Sequence, residues 1–153
     1  MLRIAYVSLG ANLGDRERSL RRALELLAAR EGVRIVRVSS FRATEPWGLV
    51  EQPTFVNAAA ELETSLAPRE LLDTLLAVEQ DLGRVRAGPR YGPRTIDLDL
   101  LLYGDAVVAE PGLELPHPRL HERRFALEPL AELDPTLVVP GRGRVSDLLA
   151  ELD

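Results

Sequence analysis

Two aspartates, Asp97 and Asp99, stand in an otherwise apolar run after an arginine-, glycine- and proline-rich stretch, within residues 90–103. Alternate side chains of a β-strand point to opposite faces, so the two aspartates share one face while Ile96 and Leu98 share the other. Their Cα atoms are then roughly 6.5 Å apart, twice the rise per residue of a strand. Both carboxylates therefore reach one small site, and two like charges held so close require a counter-charge.

Three sources of that counter-charge are open from the sequence: a divalent cation, a neighbouring arginine such as Arg94 in an ordinary salt bridge, or solvent. Mg²⁺ favours oxygen ligands and is commonly held by one or two carboxylates together with substrate phosphates. The segment 84–94 contains four arginines and no acidic residue. Such a local cationic segment on an acidic protein suits a small polyanion.

Composition limits the function classes. The 153 residues are 46% hydrophobic, which predicts one domain spanning 1–153. Cysteine is absent, excluding disulfides and thiolate chemistry, and all 19 basic residues are arginine, excluding a phosphate-loop lysine. The net charge of −5 argues against broad nucleic-acid binding. Because no long apolar run or signal peptide is present, we expect a cytoplasmic protein without a membrane partner.

Hydrophobic periodicity predicts an alternation of strands and helices. We expect the following elements: a strand over 2–9, a helix capped by Asp15 and stopped at Gly32, strands over 33–41 and 55–62, a helix from Pro68 to Gly83, and the aspartate-bearing strand. A long loop is expected over 44–53. The order β-α-β-β-α-β predicts an α+β fold, a ferredoxin-like sandwich. A tail from Gly104 is expected to add short strands and short helices, the helices over 125–133 and 145–152.

Four segments together carry a family resemblance: SLGANLG at 8–14, SSF at 39–41 with TEPWG at 44–48, QPTFVNAA at 52–59, and GPRTIDLD at 92–99 with LPHP at 115–118. From Tyr6 to about Pro135 the chain closely resembles the hydroxymethyl-dihydropterin pyrophosphokinases of the folate pathway. The resemblance implies transfer of a pyrophosphoryl group from ATP to the hydroxymethyl oxygen of a reduced pterin, with release of AMP and the use of two Mg²⁺ ions.

The same resemblance implies roles for particular residues. Asp97 and Asp99 match the metal-binding pair, which favours Mg²⁺ among the counter-charges. The implied catalytic residues are the two aspartates with Arg84 and Arg94. The implied ATP-binding residues are these two arginines with His117, Arg123 and Glu79, the last as an acid near the metal. The implied pterin-binding residues are Gly10, Thr44, Trp47, Phe55, Asn57 and Phe125, with the two phenylalanines sandwiching the ring and the Asn57 amide reading its edge. Without the resemblance, His117 would be read as a structural histidine, the aromatics as core, and Glu79 as a partner of Arg84 or Arg94.

Two positions depart from the better-known members: Tyr91 stands where tryptophan is common, and Phe55 where tyrosine is common. We hypothesise that segment 83–93 closes over bound ATP and pterin to exclude water. Two rival functions are an RNA-binding module on a ferredoxin-like sheet, which an acidic pair and net negative charge oppose, and a nucleotidyl transferase, for which a wider basic track is expected. The expected partners are ATP and reduced pterin, with a monomeric chain and no nucleic acid.

Overall fold

A five-stranded antiparallel sheet organises the chain in the computed structural model, which describes residues 2–12, 15–44, 55–82 and 96–152. Its strands are β1 (Arg3–Ala11), β2 (Val33–Val38), β3 (Arg42–Thr44), β4 (Phe55–Thr64) and β5 (Ile96–Tyr103). The spatial order is β2-β4-β1-β5, and β3 also pairs with β4. Because β4 lies between β1 and β2, it splits the first β-α-β unit, as in a ferredoxin-like sandwich. The predicted fold class is confirmed.

Two helices cover one face of the sheet. They are α1 (Arg16–Ala28) and α2 (Pro68–Asp81). Asp15 caps α1 as predicted, since its side chain accepts a hydrogen bond from the Arg18 N–H at 3.1 Å. The expected stop at Gly32 is wrong by several residues: the helix ends at Ala28, and Gly32, at φ +84°, forms the turn into β2. The core on this face consists of apolar side chains, among them Val7, Leu9, Leu20, Leu27, Leu62, Leu71 and Leu75.

The tail packs on both faces: Leu113 and Leu115 join the core on the α1 and α2 face, while its helices form a third layer on the opposite face. It contains β6 (Val108–Glu110), β7 (Leu113–Leu115), a 3-10 helix (Leu120–Glu122), α3 (Arg124–Leu133), β8 (Val138–Val139), β9 (Gly143–Arg144) and α4 (Val145–Glu151). The two predicted tail helices are confirmed. Tyr6, Ala59 and Leu102 of the sheet pack with Leu127 and Leu130 of α3 in a second buried cluster. Strands β1, β4 and β5 therefore bury side chains on both of their faces.

The predicted strand over 33–41 is wrong in its second half. β2 ends at Val38, and the chain continues into the short strand β3, which the sequence did not predict. Ser39 explains the break, because its own N–H donates to the Ala59 carbonyl at 2.9 Å while its hydroxyl, rather than its carbonyl, accepts from the Ala59 N–H at 2.9 Å. A side chain thus replaces one rung of the backbone ladder, and the strand is interrupted.

Two predicted loops fall largely outside the described residues. The loop over 44–53 is described only at Thr44, the last residue of β3, and segment 83–93 lies wholly outside. Within the described ranges, no helix is long and apolar enough to cross a membrane.

Candidate active site

The paired aspartates lie on the solvent-accessible side of an edge strand. Along β5, Ile96, Leu98 and Leu100 are buried while Asp97 and Asp99 are partly exposed, so the predicted alternation is confirmed. The apolar set faces α1 and α2. The aspartates consequently point to the face that carries the third layer.

The strand register brings Asn57 onto that same face. Gly10 of β1 is paired with Asp97 on one side and with Asn57 of β4 on the other. Directly opposed residues of antiparallel strands project to the same face, and neighbouring strands are about 4.8 Å apart. The Asn57 and Asp97 backbones are therefore about 10 Å apart, across a single intervening glycine. An amide side chain and an acidic pair at this separation on one face can contact two small ligands bound side by side.

Gly10 creates the room that Asn57 occupies. An ideal Cβ at position 10 would lie 2.8 Å from Asn57 Oδ1, closer than side chains tolerate, and 3.9 Å from Phe55 Cδ2. Asn57 is buried, at 4% exposure, and Phe55 is partly buried. Gly10, Phe55 and Asn57 thus lie together on one contiguous surface, which we call the pocket wall.

Glu79 reaches the outer edge of β5 from the last turn of α2. Its Oε2 accepts a hydrogen bond from the Leu98 N–H at 2.7 Å, and the side chain is only 7% exposed. Leu98 lies between the two aspartates in sequence, so this bond fixes the backbone from which both carboxylates project. The alternative pairing to Arg84 or Arg94 falls outside the described residues.

Arg123 supplies a positive charge beside Asp99. Its Nη1 is 3.8 Å from Asp99 Oδ2, and its guanidinium carbon is 5.5 Å from the centre of the Phe125 ring. Phe125, in the first turn of α3, is 38% exposed. Sequence reasoning sought the counter-charge at the neighbouring Arg94, whereas this arginine comes from the tail, 24 positions after Asp99. The chain carries no local signal for that contact.

His117 is held against the same strand. Its backbone N–H donates to the Leu101 carbonyl at 3.0 Å, and its Nδ1 accepts from the Arg119 N–H at 3.1 Å. Burial lowers the pKa of His117; nearby Asp99 opposes this effect and Arg123 adds to it. A donor directed at Nδ1 leaves the proton of the neutral ring on Nε2. The imidazole is therefore a neutral donor through Nε2.

A cavity of about 640 Å³ lies beside β5. Its lining includes the acidic pair with Glu79, Leu72, Leu76 and His117. This volume lies within the usual range for small-ligand sites, about 300–1,000 Å³. The charged side chains among its described lining residues are all acidic (Glu79, Asp97, Asp99, Glu110 and Glu114), so an anionic ligand binds here only together with cations.

The structure brings together nine of the thirteen predicted site residues on two adjoining surfaces. The acidic surface holds Glu79, Asp97, Asp99, His117 and Arg123, and the pocket wall holds Gly10, Phe55 and Asn57. Phe125 lies at their border through its contact with Arg123. Thr44 is described only through its backbone, which pairs with Phe55. Trp47, Arg84 and Arg94 lie outside the described residues.

An acidic pair, a neutral histidine and an arginine on one sheet face define the class as an enzyme site for a small phosphorylated ligand. The model of a known protein family, described as 7,8-dihydro-6-hydroxymethylpterin-pyrophosphokinase (HPPK), matches residues 6–135. The chain belongs to this family.

Relatives extend the match over nearly the whole chain. The 2-amino-4-hydroxy-6-hydroxymethyldihydropteridine pyrophosphokinase of Methylorubrum extorquens is 47% identical over 149 residues, covering 97% of this chain and 93% of the relative. The enzyme of the same name from Bacillus subtilis is 47% identical over 133 residues, covering 87% and 79%. A Plasmodium falciparum HPPK-DHPS structure has a TM-score of 0.78 at 14% identity, which shows the shared fold. The chain covers 99% of its own length there but 45% of that longer protein.

Proposed function

We propose that the chain transfers the pyrophosphoryl group of ATP to the hydroxymethyl oxygen of 6-hydroxymethyl-7,8-dihydropterin, releasing AMP, as a step of folate biosynthesis. The observation that carries the proposal is the row Asn57, Gly10 and Asp97 across three strands of a family member. In the reaction, the hydroxymethyl oxygen forms a bond to the β-phosphorus. The bond from that phosphorus to the oxygen bridging the α- and β-phosphates breaks, and the hydroxyl proton is released.

Asp97 and Asp99 are the proposed holders of two Mg²⁺ ions. Two carboxylates on one face, partly exposed and opening into a cavity, match the oxygen donors that Mg²⁺ prefers. Among the described residues no group of three or more metal-binding side chains is found, so phosphate and water oxygens are expected to complete the coordination. When bound, the ions neutralise phosphate charge and align the triphosphate for in-line displacement. The Glu79 bond to Leu98 keeps the two carboxylates in register.

Arg123 and His117 are proposed to bind the phosphates. The Arg123 guanidinium has several donors, and its Nη1 is 3.8 Å from Asp99 Oδ2, so it can bridge that carboxylate and a phosphate. The neutral His117 ring donates from Nε2 without requiring a charge. Arg84 and Arg94 are further proposed phosphate ligands on sequence grounds alone.

Asn57, Phe55 and Phe125 are proposed to hold the pterin. A buried amide beside an aromatic ring suits the edge of a flat heterocycle, because a few fixed polar groups in an otherwise apolar pocket orient the ligand and give specificity. Phe55 and Phe125 offer faces for stacking. Thr44 and Trp47 are assigned to this pocket from the sequence.

The proposal also covers domain organisation, oligomeric state and location. We treat 1–153 as one pyrophosphokinase domain that acts as a monomer on two small molecules, without nucleic acid. ATP as co-substrate is consistent with reaction in the cytoplasm.

Release of AMP from ATP, with and without hydroxymethyl-dihydropterin, tests the proposal. The natural chain should release AMP only when pterin and Mg²⁺ are both present, and Asp97→Ala should lower the rate by at least about 100-fold. Asp105→Ala is the matched control, since Asp105 is an exposed aspartate in the turn just after β5. Pterin-independent AMP release, or full activity of Asp97→Ala, would contradict the assignment.

A further inference from the structure

We propose that Glu132 is a positioning residue for the pterin side of the site, because its carboxylate fastens α3 to the strand beside Asn57. The inference rests on the proposed function. It concerns a residue near the C-terminal end of α3, at the opposite end of that helix from Phe125.

Three donors from one short segment converge on the Glu132 carboxylate. The Ser40 N–H donates to Oε2 at 2.8 Å, while the Ser40 hydroxyl and Arg42 Nη2 donate to Oε1 at 2.7 and 2.9 Å. A lone surface ion pair contributes little, but a carboxylate that accepts backbone, hydroxyl and guanidinium donors together has its orientation fixed. Burial raises the pKa of Glu132, yet the hydrogen bonds from Ser40 and Arg42 outweigh it and lower that pKa overall. Glu132 is therefore ionised at neutral pH.

Arg42 extends this contact along α3. Its Nη1 is 3.9 Å from Glu128 Oε1, and the other Glu128 oxygen is 3.6 Å from Arg124 Nη1. Glu128 and Glu132 are four residues apart and lie on one side of the helix. A continuous chain of polar contacts thus runs from Ser40 to Arg124, the residue next to Phe125.

Arg42 is also the neighbour of Asn57. The two residues are directly paired between β3 and β4, and such pairs share a face. The Arg42 Nε is buried and has no hydrogen-bond partner among the described residues, so the α3 carboxylates determine where this guanidinium lies. The Glu132 contacts consequently couple the Asn57 strand pair to the helix that carries Phe125.

Apolar packing alone does not set the spacing between α3 and the paired strands β3 and β4. Leu127 and Leu130 of α3 lie in the same buried cluster as Ala59 of β4, but apolar burial is non-directional and tolerates small shifts of a helix. Directed hydrogen bonds remove that freedom. We therefore expect loss of Glu132 to alter the distance between Phe125 and Asn57 while the core stays intact.

Steady-state kinetics of Glu132→Ala, with each substrate varied separately, tests the inference. We expect the KM for pterin to rise about tenfold while the KM for ATP changes by less than about twofold, since a sub-ångström displacement affects only the ligand that both elements hold. Glu132→Gln retains one acceptor oxygen for Ser40, so its KM for pterin should lie between those of the natural chain and Glu132→Ala.

Glu63→Ala is the matched control. Glu63 accepts two hydrogen bonds from Arg34, at 3.0 and 2.9 Å, and likewise joins two elements at a partly exposed site. It lies on β4 six residues from Asn57, about 20 Å along the strand. Its loss should lower stability similarly and leave the pterin KM unchanged.

Amide hydrogen exchange separates the possible outcomes. Faster exchange at 39–44 and in α3 of Glu132→Ala, together with a pterin-selective KM, supports the inference. Equal rises of both KM values, or the same pterin effect in Glu63→Ala, would assign Glu132 a general structural role and overturn it. If Glu132→Ala does not fold, an unchanged pterin KM in Glu132→Gln and Ser40→Ala also overturns it. Absence of pterin-dependent AMP release by the natural chain would instead refute the proposed function, and the exchange data would still report on the contact.

Discussion

Replacing Gly10 with alanine should impair use of the pterin and spare use of ATP, because the added methyl group has no room beside Asn57. An ideal Cβ at this position lies 2.8 Å from Asn57 Oδ1, whereas ordinary contacts begin at 3.4 Å. The amide oxygen must therefore retreat by about 0.6 Å, the difference between these distances. Asn57 is 4% exposed, so its side chain has little free volume into which to move.

The size of the effect follows from that displacement. A misplacement of about 1 Å in a substrate-positioning group costs about 100-fold in rate. A shift of about 0.6 Å should then lower kcat/KM for pterin about 10- to 30-fold, equivalent to about 1.4–2 kcal/mol. Stability should fall by about 1–3 kcal/mol, as for other overpacked sites. Initial rates of AMP release with pterin varied at saturating ATP, then with ATP varied, measure the first quantity, and thermal unfolding measures the second.

A double variant isolates the steric cause. In Asn57→Ala the atom that Cβ would meet is gone, so adding Gly10→Ala should change kcat/KM for pterin by less than about twofold. The Phe55 ring, at 3.9 Å from the ideal Cβ, is an ordinary contact in either background. A folded Gly10→Ala protein with undiminished pterin kcat/KM, or strictly additive effects of the two substitutions, would refute the reasoning.

Two further predictions concern the acidic side of the site. Glu79→Ala leaves the buried Leu98 N–H without its acceptor, which should cost about 1–3 kcal/mol of unfolding free energy and raise the Mg²⁺ concentration for half-maximal rate, whereas Glu79→Gln should restore most of the stability. An unchanged Tm and Mg²⁺ dependence in the alanine variant would exclude this role. For His117, the folded-state pKa is lowered, so its contribution to stability is complete above pH 6.5 and declines as pH falls through 6.5 towards the folded pKa. The unfolding free energy of the natural chain should therefore decrease relative to His117→Gln between about pH 7 and pH 5, and parallel curves would contradict it.

Local patterns in the sequence predicted the elements that local physics determines. The alternation at Asp97 and Asp99, the Asp15 cap and the start of α2 at Pro68 each depend on residues within one turn or one strand. The interruption of β2 was not predicted, because it depends on the Ser39 hydroxyl meeting a strand twenty residues later. The alternating pattern around Ser39 does not indicate that its hydroxyl will accept a hydrogen bond from Ala59.

Contacts between distant segments could not be predicted from the sequence, for the same reason. The Asp99–Arg123 pair joins β5 to the residue preceding α3, and Glu132 meets Ser40 across 92 residues of chain. The charges themselves were visible, but any of the 19 arginines is an equally plausible partner for a carboxylate until the sheet order is known. Family resemblance assigned Arg123 to phosphate, and only the fold shows that it also neighbours Asp99.

The third layer decides where on the sheet the site lies. On the α3 face, β1 presents Tyr6, then Ser8, then Gly10, so this face changes from apolar to polar along a single strand. Tyr6 is in the cluster with α3, whereas Ser8 and Gly10 are the strand partners of Asp99 and Asp97. The pairing of β1 with β5 shifts by one residue between Tyr6 and Val7, at this same boundary.

That shift has a consequence for packing. The shift places one extra residue on β5, as in a β-bulge. As a result, Leu101 and Leu102 both pack in the buried cluster with α3. Arg123, immediately before α3, reaches Asp99. The tail helices therefore bury the Tyr6 half of the face, while Asp97 and Asp99 in the other half stay partly exposed. Removing residues 123–133 would expose the Tyr6 end and remove Arg123 and Phe125 together, so the tail supplies two of the proposed site residues as well as core.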